Sequence, residues 1–370
     1  VLRYVLTFGL AAVILGIGYL GLSSWVKPWQ SHAIPLTGKP VAPQEAKIQA
    51  LSGDVAFPIR AAFYYPWFPE AWTQSNTDPF SYYQPVLGYY NESDIQIVQK
   101  HIDEMLYGNI TVGLASWWGP GSETDKRIPE LLSAARGKNF HWALYYEMNA
   151  RQNPTADQLH SDLLYIQQQY ANDPGYLHLS GRFVVFVYNS GQSTCDLPKL
   201  WQQANQGIDA YLVLKVMPGY RSCPDQPDGW HQYAPASDAS RQGDYSYTIS
   251  PGYFKMGDQQ ARLPRDINRW AQDVRDMVAS GARFQLITSF NEWGEGTAIE
   301  PATLWQTDSG YGAFLDVLHD NGQGTLPKLG PVEEEAMKAR QTAGANLSGQ
   351  ASTGPVISSA PQTSSSALPT

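Results

Sequence analysis

Short apolar runs separated by helix-period segments organise the middle of this chain. The runs expected as strands are Ile59–Trp67, Val112–Trp118, Trp142–Glu147, Phe183–Tyr188, Tyr211–Met217, Gly229–Tyr233, Tyr245–Ile249 and Phe284–Ser289. Between them, Ile95, Val98, Ile102 and Met105 fall on one helical face, with Ser93 and Gln96 spaced as a capping box at its start. Thr155 and Gln158 repeat that spacing, and Pro264 opens a segment in which Ile267, Trp270, Val274 and Met277 recur every three or four residues. Eight strands alternating with helices predict an α/β fold of the (β/α)8 TIM-barrel type. Pro235 to Asp244 reads as a loop rather than a helix, so the sixth and seventh units are the least regular.

The two ends differ from this middle. Tyr4 to Val26 is a mostly apolar run of about 23 residues, long enough as a helix to cross a ~30 Å hydrocarbon layer. A cleaved signal peptide is the alternative, but its apolar region is shorter, roughly 7–15 residues. Trp25 and Trp29 suit a membrane interface. The expected division is therefore a transmembrane signal anchor at 1–29, a spacer at 30–56, a catalytic domain at 57–330 outside the cytoplasm, and a low-complexity tail at 331–370 that is disordered from Gln341. From Gln341 onward the tail is dominated by Ser, Thr, Ala, Gly, Gln and Pro, too poor in large apolar groups to offset the entropy of ordering. N-x-S/T sequons stand at Asn91, Asn109 and Asn346.

Charge and composition narrow the partners. A net charge of −9 with no Lys/Arg cluster disfavours nucleic acid, which demands concentrated positive charge. The 12 Trp and 22 Tyr exceed what a core needs, and flat aromatic faces suit the C–H surfaces of sugar rings. Cys195 and Cys223 are too few for a four-ligand zinc site, and no metal or other cofactor is indicated. Outside the cytoplasm those two thiols are expected to pair, since both follow neighbouring strands.

In a barrel of this kind chemistry collects at the carboxyl ends of the strands. Here the last strand runs into Asn291-Glu292-Trp293-Gly294-Glu295, two carboxylates flanking a tryptophan. Glycosidic cleavage needs one carboxyl group to protonate the leaving oxygen and a second to act across the reacting carbon, and Glu292 and Glu295 supply such a pair. An arbitrary E-x-x-E is usually a solvated turn, but the preceding strand and the flanking glycines point inward. Tyr64, Trp117, Trp118, Tyr188 and Tyr233 stand at other strand ends and would line a cleft with Asn291 and Trp293. Glu147 ends the third strand, to bind a sugar hydroxyl or to pair with Arg151. His231 is placed either to donate to a sugar hydroxyl or to sit satisfied at the barrel rim.

The segments Ala62 to Trp67, Ser116 to Ser122, Tyr170 to Tyr176, Ile249 to Tyr253 and Ser289 to Glu300 resemble, in order and spacing, glycoside hydrolase family 99, the endo-α-mannosidase and endo-α-mannanase family. The resemblance covers about Phe57 to Gly330. It implies a (β/α)8 barrel that cleaves internal α-mannosidic bonds with retention and without a metal. It further implies that Glu292 takes the proton of the sugar's own 2-hydroxyl, giving a 1,2-anhydro sugar, while Glu295 is general acid and then general base. Tyr64, Tyr188, Tyr233 and Tyr253 match the family's site tyrosines, and Glu147 its third-strand acid. Gly294 and Ala298 depart from the best-studied members, which carry histidine and glutamine there. The same signature resembles family-99-like domains of polysaccharide assembly described as glycosyltransferases, but no basic or Gly-rich phosphate cradle is present. A non-catalytic carbohydrate-binding barrel is the remaining alternative.

Overall fold

The computed structural model describes residues 55–152, 154–189 and 194–351, with side chains through 342. Eight parallel strands form the barrel: β1 (Ile59–Tyr64), β2 (Val112–Trp117), β3 (His141–Glu147), β5 (Arg182–Tyr188), β6 (Tyr211–Lys215), β7 (Gly229–His231), β9 (Ser246–Ile249) and β10 (Phe284–Ile287). Two short strands are added, β4 (His178–Leu179) antiparallel to β5 and β8 (Ala239–Gln242) antiparallel to β9. The hydrogen-bonded order is β7-β6-β5-β3-β2-β1-β10-β9-β8. Between β7 and β9, where that path leaves a seam, the Thr248 hydroxyl donates to the Gln232 carbonyl at 2.7 Å just beyond β7.

Strand parity divides the apolar residues into two layers. Ala61, Phe63, Leu114, Ala143, Tyr145, Phe186 and Val213 fill the barrel interior, whereas Ala62, Tyr64, Trp117, Trp142, Tyr146 and Val185 pack outward with the helices. Both faces are buried, so the strands read as continuous apolar runs. Gly113 in β2 is required by one outward contact: a Cβ there would lie 2.1 Å from the Trp142 ring.

The helices are α1 (Ile95–Tyr107), α2 (Glu123–Ala135), α3 (Ala156–Gln169), α4 (Asp196–Ala204), α5 (Ile267–Ala279), α6 (Ala313–His319) and α7 (Val332–Ala351). The capping box expected at α3 forms between Thr155 and Gln158. At α1 the cap is Asp94 rather than Ser93, because the Asp94 carboxylate accepts from the Gln96 amide. Asp266 caps α5, two residues past Pro264, by accepting from the amides of Asn268 and Arg269. The sixth unit indeed lacks a helix, having the β8 hairpin instead; the fifth also lacks one, with only a 3-10 turn at Tyr220–Ser222, while the seventh has the full helix α5. The barrel is therefore flanked unevenly.

The ends correct part of the expected layout. The tail expected from 331 begins as helix α7, anchored by buried Val332 and Ala336. Residues beyond 351, the apolar run at 4–26 and the spacer to residue 54 lie outside the described residues. Among the described residues no helix is long and apolar enough to cross a membrane.

Cys195 and Cys223 form a disulfide that ties the start of α4 to the turn after β6, with their Cα atoms 5.2 Å apart and the two positions separated by 28 in sequence. Closing a loop of that length restricts the unfolded chain and contributes about 3–4 kcal/mol. Denaturant titration of the Cys195→Ser/Cys223→Ser double variant is expected to show a loss of about that size, and an unchanged midpoint would contradict it.

Candidate active site

The segment after β10 folds back on itself so that its acidic side chains are held from both ends. Ser289 N–H donates to the Thr297 carbonyl and Ile299 N–H to that of Ser289, closing the loop at its base. Within it the Glu292 amide donates to Ser289 Oγ at 2.9 Å, and the Thr297 amide to the Glu292 carbonyl at 3.2 Å. Gly296 turns with φ +67°, and a Cβ there would come 2.5 Å from the Phe254 carbonyl oxygen, so this close backbone approach excludes larger residues. Phe254 and Met256 donate their amides to the carbonyls of Glu295 and Gly294, which fastens the post-β9 segment alongside.

The two carboxyl groups share one electrostatic environment. Glu292 is buried, and its Oε1 accepts from the Glu295 amide at 3.1 Å. Glu295 is more open, and its Oε2 accepts from the Tyr233 hydroxyl at 3.0 Å. Burial raises the pKa of Glu292, and the charge of Glu295 raises it further. Burial also raises Glu295, opposed by Lys255, the Tyr233 hydrogen bond and Arg262. Two adjacent acids that resist ionising together retain a proton between them near neutral pH.

Around the pair the interior-facing strand ends supply the walls. Tyr65 stacks on Trp67 at 4.6 Å, and Trp67 meets the edge of the exposed Trp118 at 5.9 Å. Glu147 and Tyr188 stand on the other side, with Lys215 Nζ 4.8 Å from the Tyr188 ring centre. Arg151 does not pair with Glu147; it makes two 3.0 Å hydrogen bonds to Asp162, and Glu147 accepts from Ser116 Oγ at 3.1 Å instead. Tyr253 also belongs to this cluster, its ring under the Arg262 guanidinium and its neighbour Phe254 tied to Glu295.

Several residues expected in the cleft lie elsewhere. Tyr64 and Trp117 point outward: the Tyr64 hydroxyl meets His101 Nδ1 at 2.9 Å, and Trp117 Nε1 donates to Asp125 at 2.7 Å. Trp293 is fully buried beneath the loop, donating to the Tyr90 hydroxyl at 3.1 Å and Glu300 Oε2 at 3.2 Å. Asn291 clasps the Tyr65 backbone, accepting from its amide at 2.8 Å and donating to its carbonyl at 3.2 Å. His231 lies fully buried in the barrel floor against Phe63, Tyr145 and Phe186, with Nε2 donating to the Val187 carbonyl. Burial pushes its pKa down to about 3 and keeps it neutral. One residue's change of parity explains Tyr64 and Trp117, since their neighbours Tyr65, Ser116 and Trp118 face the site.

Tyr65, Lys215, Lys255 and Glu92 were not apparent as site groups in sequence. Glu92 is fully buried, accepting from Asn291 Nδ2 and the Phe68 amide at 3.0 Å each. Its signal is a lone acid in Tyr89-Tyr90-Asn91-Glu92, which resembles any loop carboxylate. Among the described residues no three His, Cys, Asp or Glu side chains gather as metal ligands.

Burial drives the Glu147 pKa up to about 8 from 4.5. The folded chain then holds a proton there that the unfolded chain releases, so the stability contribution is complete below the lower value and lost as pH rises toward the upper one. Glu147→Gln removes that titration. Its thermal midpoint is expected to fall less than the wild type's between about pH 5 and 8; equal falls would contradict the buried-acid assignment.

Residues 58–206 match the family model of glycosyl hydrolase family 99. The glycoprotein endo-alpha-1,2-mannosidases of Rattus norvegicus and Xenopus laevis are each 22% identical, over 65% and 60% of this chain and 61% and 58% of their own lengths. The chain thus spans about three fifths of those relatives. The solved GH99 endo-alpha-mannosidase of Bacteroides thetaiotaomicron aligns with TM-score 0.58 and 21% identity, covering 77% of this chain and 99% of that one. A solved glycoside hydrolase-like protein aligns at TM-score 0.55 and 17% identity over 78% and 98%. These likenesses show the barrel-like fold.

Proposed function

We propose that this chain, which carries a glycosyl hydrolase family 99 domain, is a glycoside hydrolase that cleaves internal α-mannosidic bonds with retention, held at a membrane through its apolar amino-terminal run with the barrel outside the cytoplasm. The observation that carries the reading is the buried Glu292 held against the amide of Glu295 within an aromatic-walled cleft. The disulfide supports an oxidising compartment.

In the first step the Glu292 carboxylate takes the proton of the sugar 2-hydroxyl, O2 bonds to C1, the bond from C1 to the leaving oxygen breaks, and Glu295 protonates that oxygen. In the second, Glu295 takes a proton from water, the water oxygen attacks C1, the C1–O2 bond breaks, and Glu292 returns its proton to O2. Two displacements give retention, and neither needs a metal. Substrate sets the starting protonation: a hydroxyl donating to Glu292 favours its ionised form, and a glycosidic oxygen accepting from Glu295 favours its protonated form. Tyr233, donating to Glu295, supports the carboxylate that forms when the leaving group departs.

The test is incubation of the protein with α-mannan and a panel of α-linked glycans, following new reducing ends. Release of oligosaccharides is expected; binding without cleavage, or activity only with a nucleotide sugar, would overturn the hydrolase reading.

A further inference from the structure

The carboxy-terminal helix reaches the active-site loop by two separate routes. Glu333 and Arg340 are seven residues apart on α7, so they share a face about 10 Å apart along the axis. Glu333 accepts from the Arg265 amide at 2.8 Å, and the Arg265 guanidinium donates to the carbonyls of Gly296 at 3.0 Å and Ala298 at 2.7 Å. That guanidinium is buried 4.1 Å from the Trp305 ring centre, which fixes its direction. Two turns further on, Arg340 Nη1 donates to the carbonyls of Pro79 and Ser81 at 3.1 and 3.2 Å. Arg340 thus grips the long segment after β1 on either side of Phe80.

Phe80 and Tyr82 carry that grip to the chemistry. The Tyr82 ring stacks on Phe254 at 4.2 Å with 7° between planes, and its hydroxyl donates to the Asp258 carbonyl at 2.9 Å. Phe254 is the residue whose amide binds the Glu295 carbonyl. The Phe80 ring lies where a side chain on Gly294 would project: a Cβ at 294 would be 3.0 Å from it and 3.2 Å from Glu292 Oε1. A half-buried phenyl ring therefore stands beside the position between the two glutamates. Its apolar face suits the C–H surface of a sugar ring.

We propose that α7 is a strap that positions one wall of the cleft, with Glu333 and Arg340 as positioning residues and Phe80 as the specificity-determining residue that meets the glycan. The part concerning the glycan rests on the hydrolase reading; the strap itself does not.

Arg340→Ala and Phe80→Ala test it, alone and together, in the full chain. Arg340→Ala is expected to raise KM for an α-mannan oligosaccharide by about 3–10-fold with kcat within about 2-fold, because it loosens a binding wall and spares the acids. Arg340→Lys, which keeps a donor and the charge, restores part of the loss. The double variant loses clearly less than the sum of the two single losses, since Arg340 acts in large part through that ring. Amide exchange at residues 78–83 quickens in Arg340→Ala. Additive losses, or an effect on kcat alone, would overturn the specificity assignment, and unchanged exchange at 78–83 would overturn the strap. If the wild type cleaves no glycan, the hydrolase reading and the role of Phe80 toward substrate fall, while the exchange experiment still decides the strap.

Discussion

Replacing Glu295 by Gln is expected to lower glycan cleavage by a factor on the order of 10²–10⁴ while leaving the fold intact. The amide keeps the size of the side chain and still accepts from the Tyr233 hydroxyl, so the cleft retains its shape. What it loses is the proton for the leaving oxygen and the base for the attacking water. The two losses are separable. With a fluoride or activated aryl leaving group, which departs without protonation, the first step recovers in the variant and the second remains slow. Glu292→Gln gives a loss of similar size that no leaving group restores, because its task is to take the 2-hydroxyl proton. Equal recovery in both variants would refute the division of labour between them.

Trp293→Ala is expected to act on stability instead, costing about 3–5 kcal/mol and lowering the thermal midpoint by roughly 6–15 °C. The indole lies fully buried, with its ring 6.1 Å from that of Trp305 and nearly parallel to it. Its removal leaves a large cavity and strips the Tyr90 hydroxyl and Glu300 of a donor. Because Trp293 lies between Glu292 and Glu295 in the chain, kcat falls as well. Trp293→Phe, which refills most of the space, recovers much of the stability. A fully stable Trp293→Ala with weakened glycan binding would mean that the indole stacks on substrate, as its place in the sequence suggests.

Trp293 illustrates how far the sequence carried the site. All eight barrel strands are legible as apolar runs, and the acidic pair is legible because a strand runs straight into it. Side-chain direction is not legible, since strands buried on both faces carry no alternation of apolar and polar residues. Glu147 escapes this problem: a carboxylate ending β3 on the interior parity marks which face opens to the cleft. At the end of β1, Phe63, Tyr64 and the following Tyr65 offer no such mark, and the outward Tyr64 is easily taken for the inward Tyr65. Glu92 and Arg265 are hidden for a different reason. They act through contacts 199 and 31 to 33 residues away in sequence, which no local spacing encodes. Helix α7 was hidden by composition, because its side near the cleft depends on Val332, Glu333, Ala336 and Arg340 rather than on large apolar residues.

The most direct measurement is proton NMR of the anomeric signal at the new reducing end while α-mannan is being cleaved, recorded before mutarotation. Two sequential displacements through the sugar's own O2, driven by Glu292 and Glu295, predict that the α-anomer appears first. First appearance of the β-anomer, or the same rate of release from Glu295→Gln as from the wild type, would contradict the account.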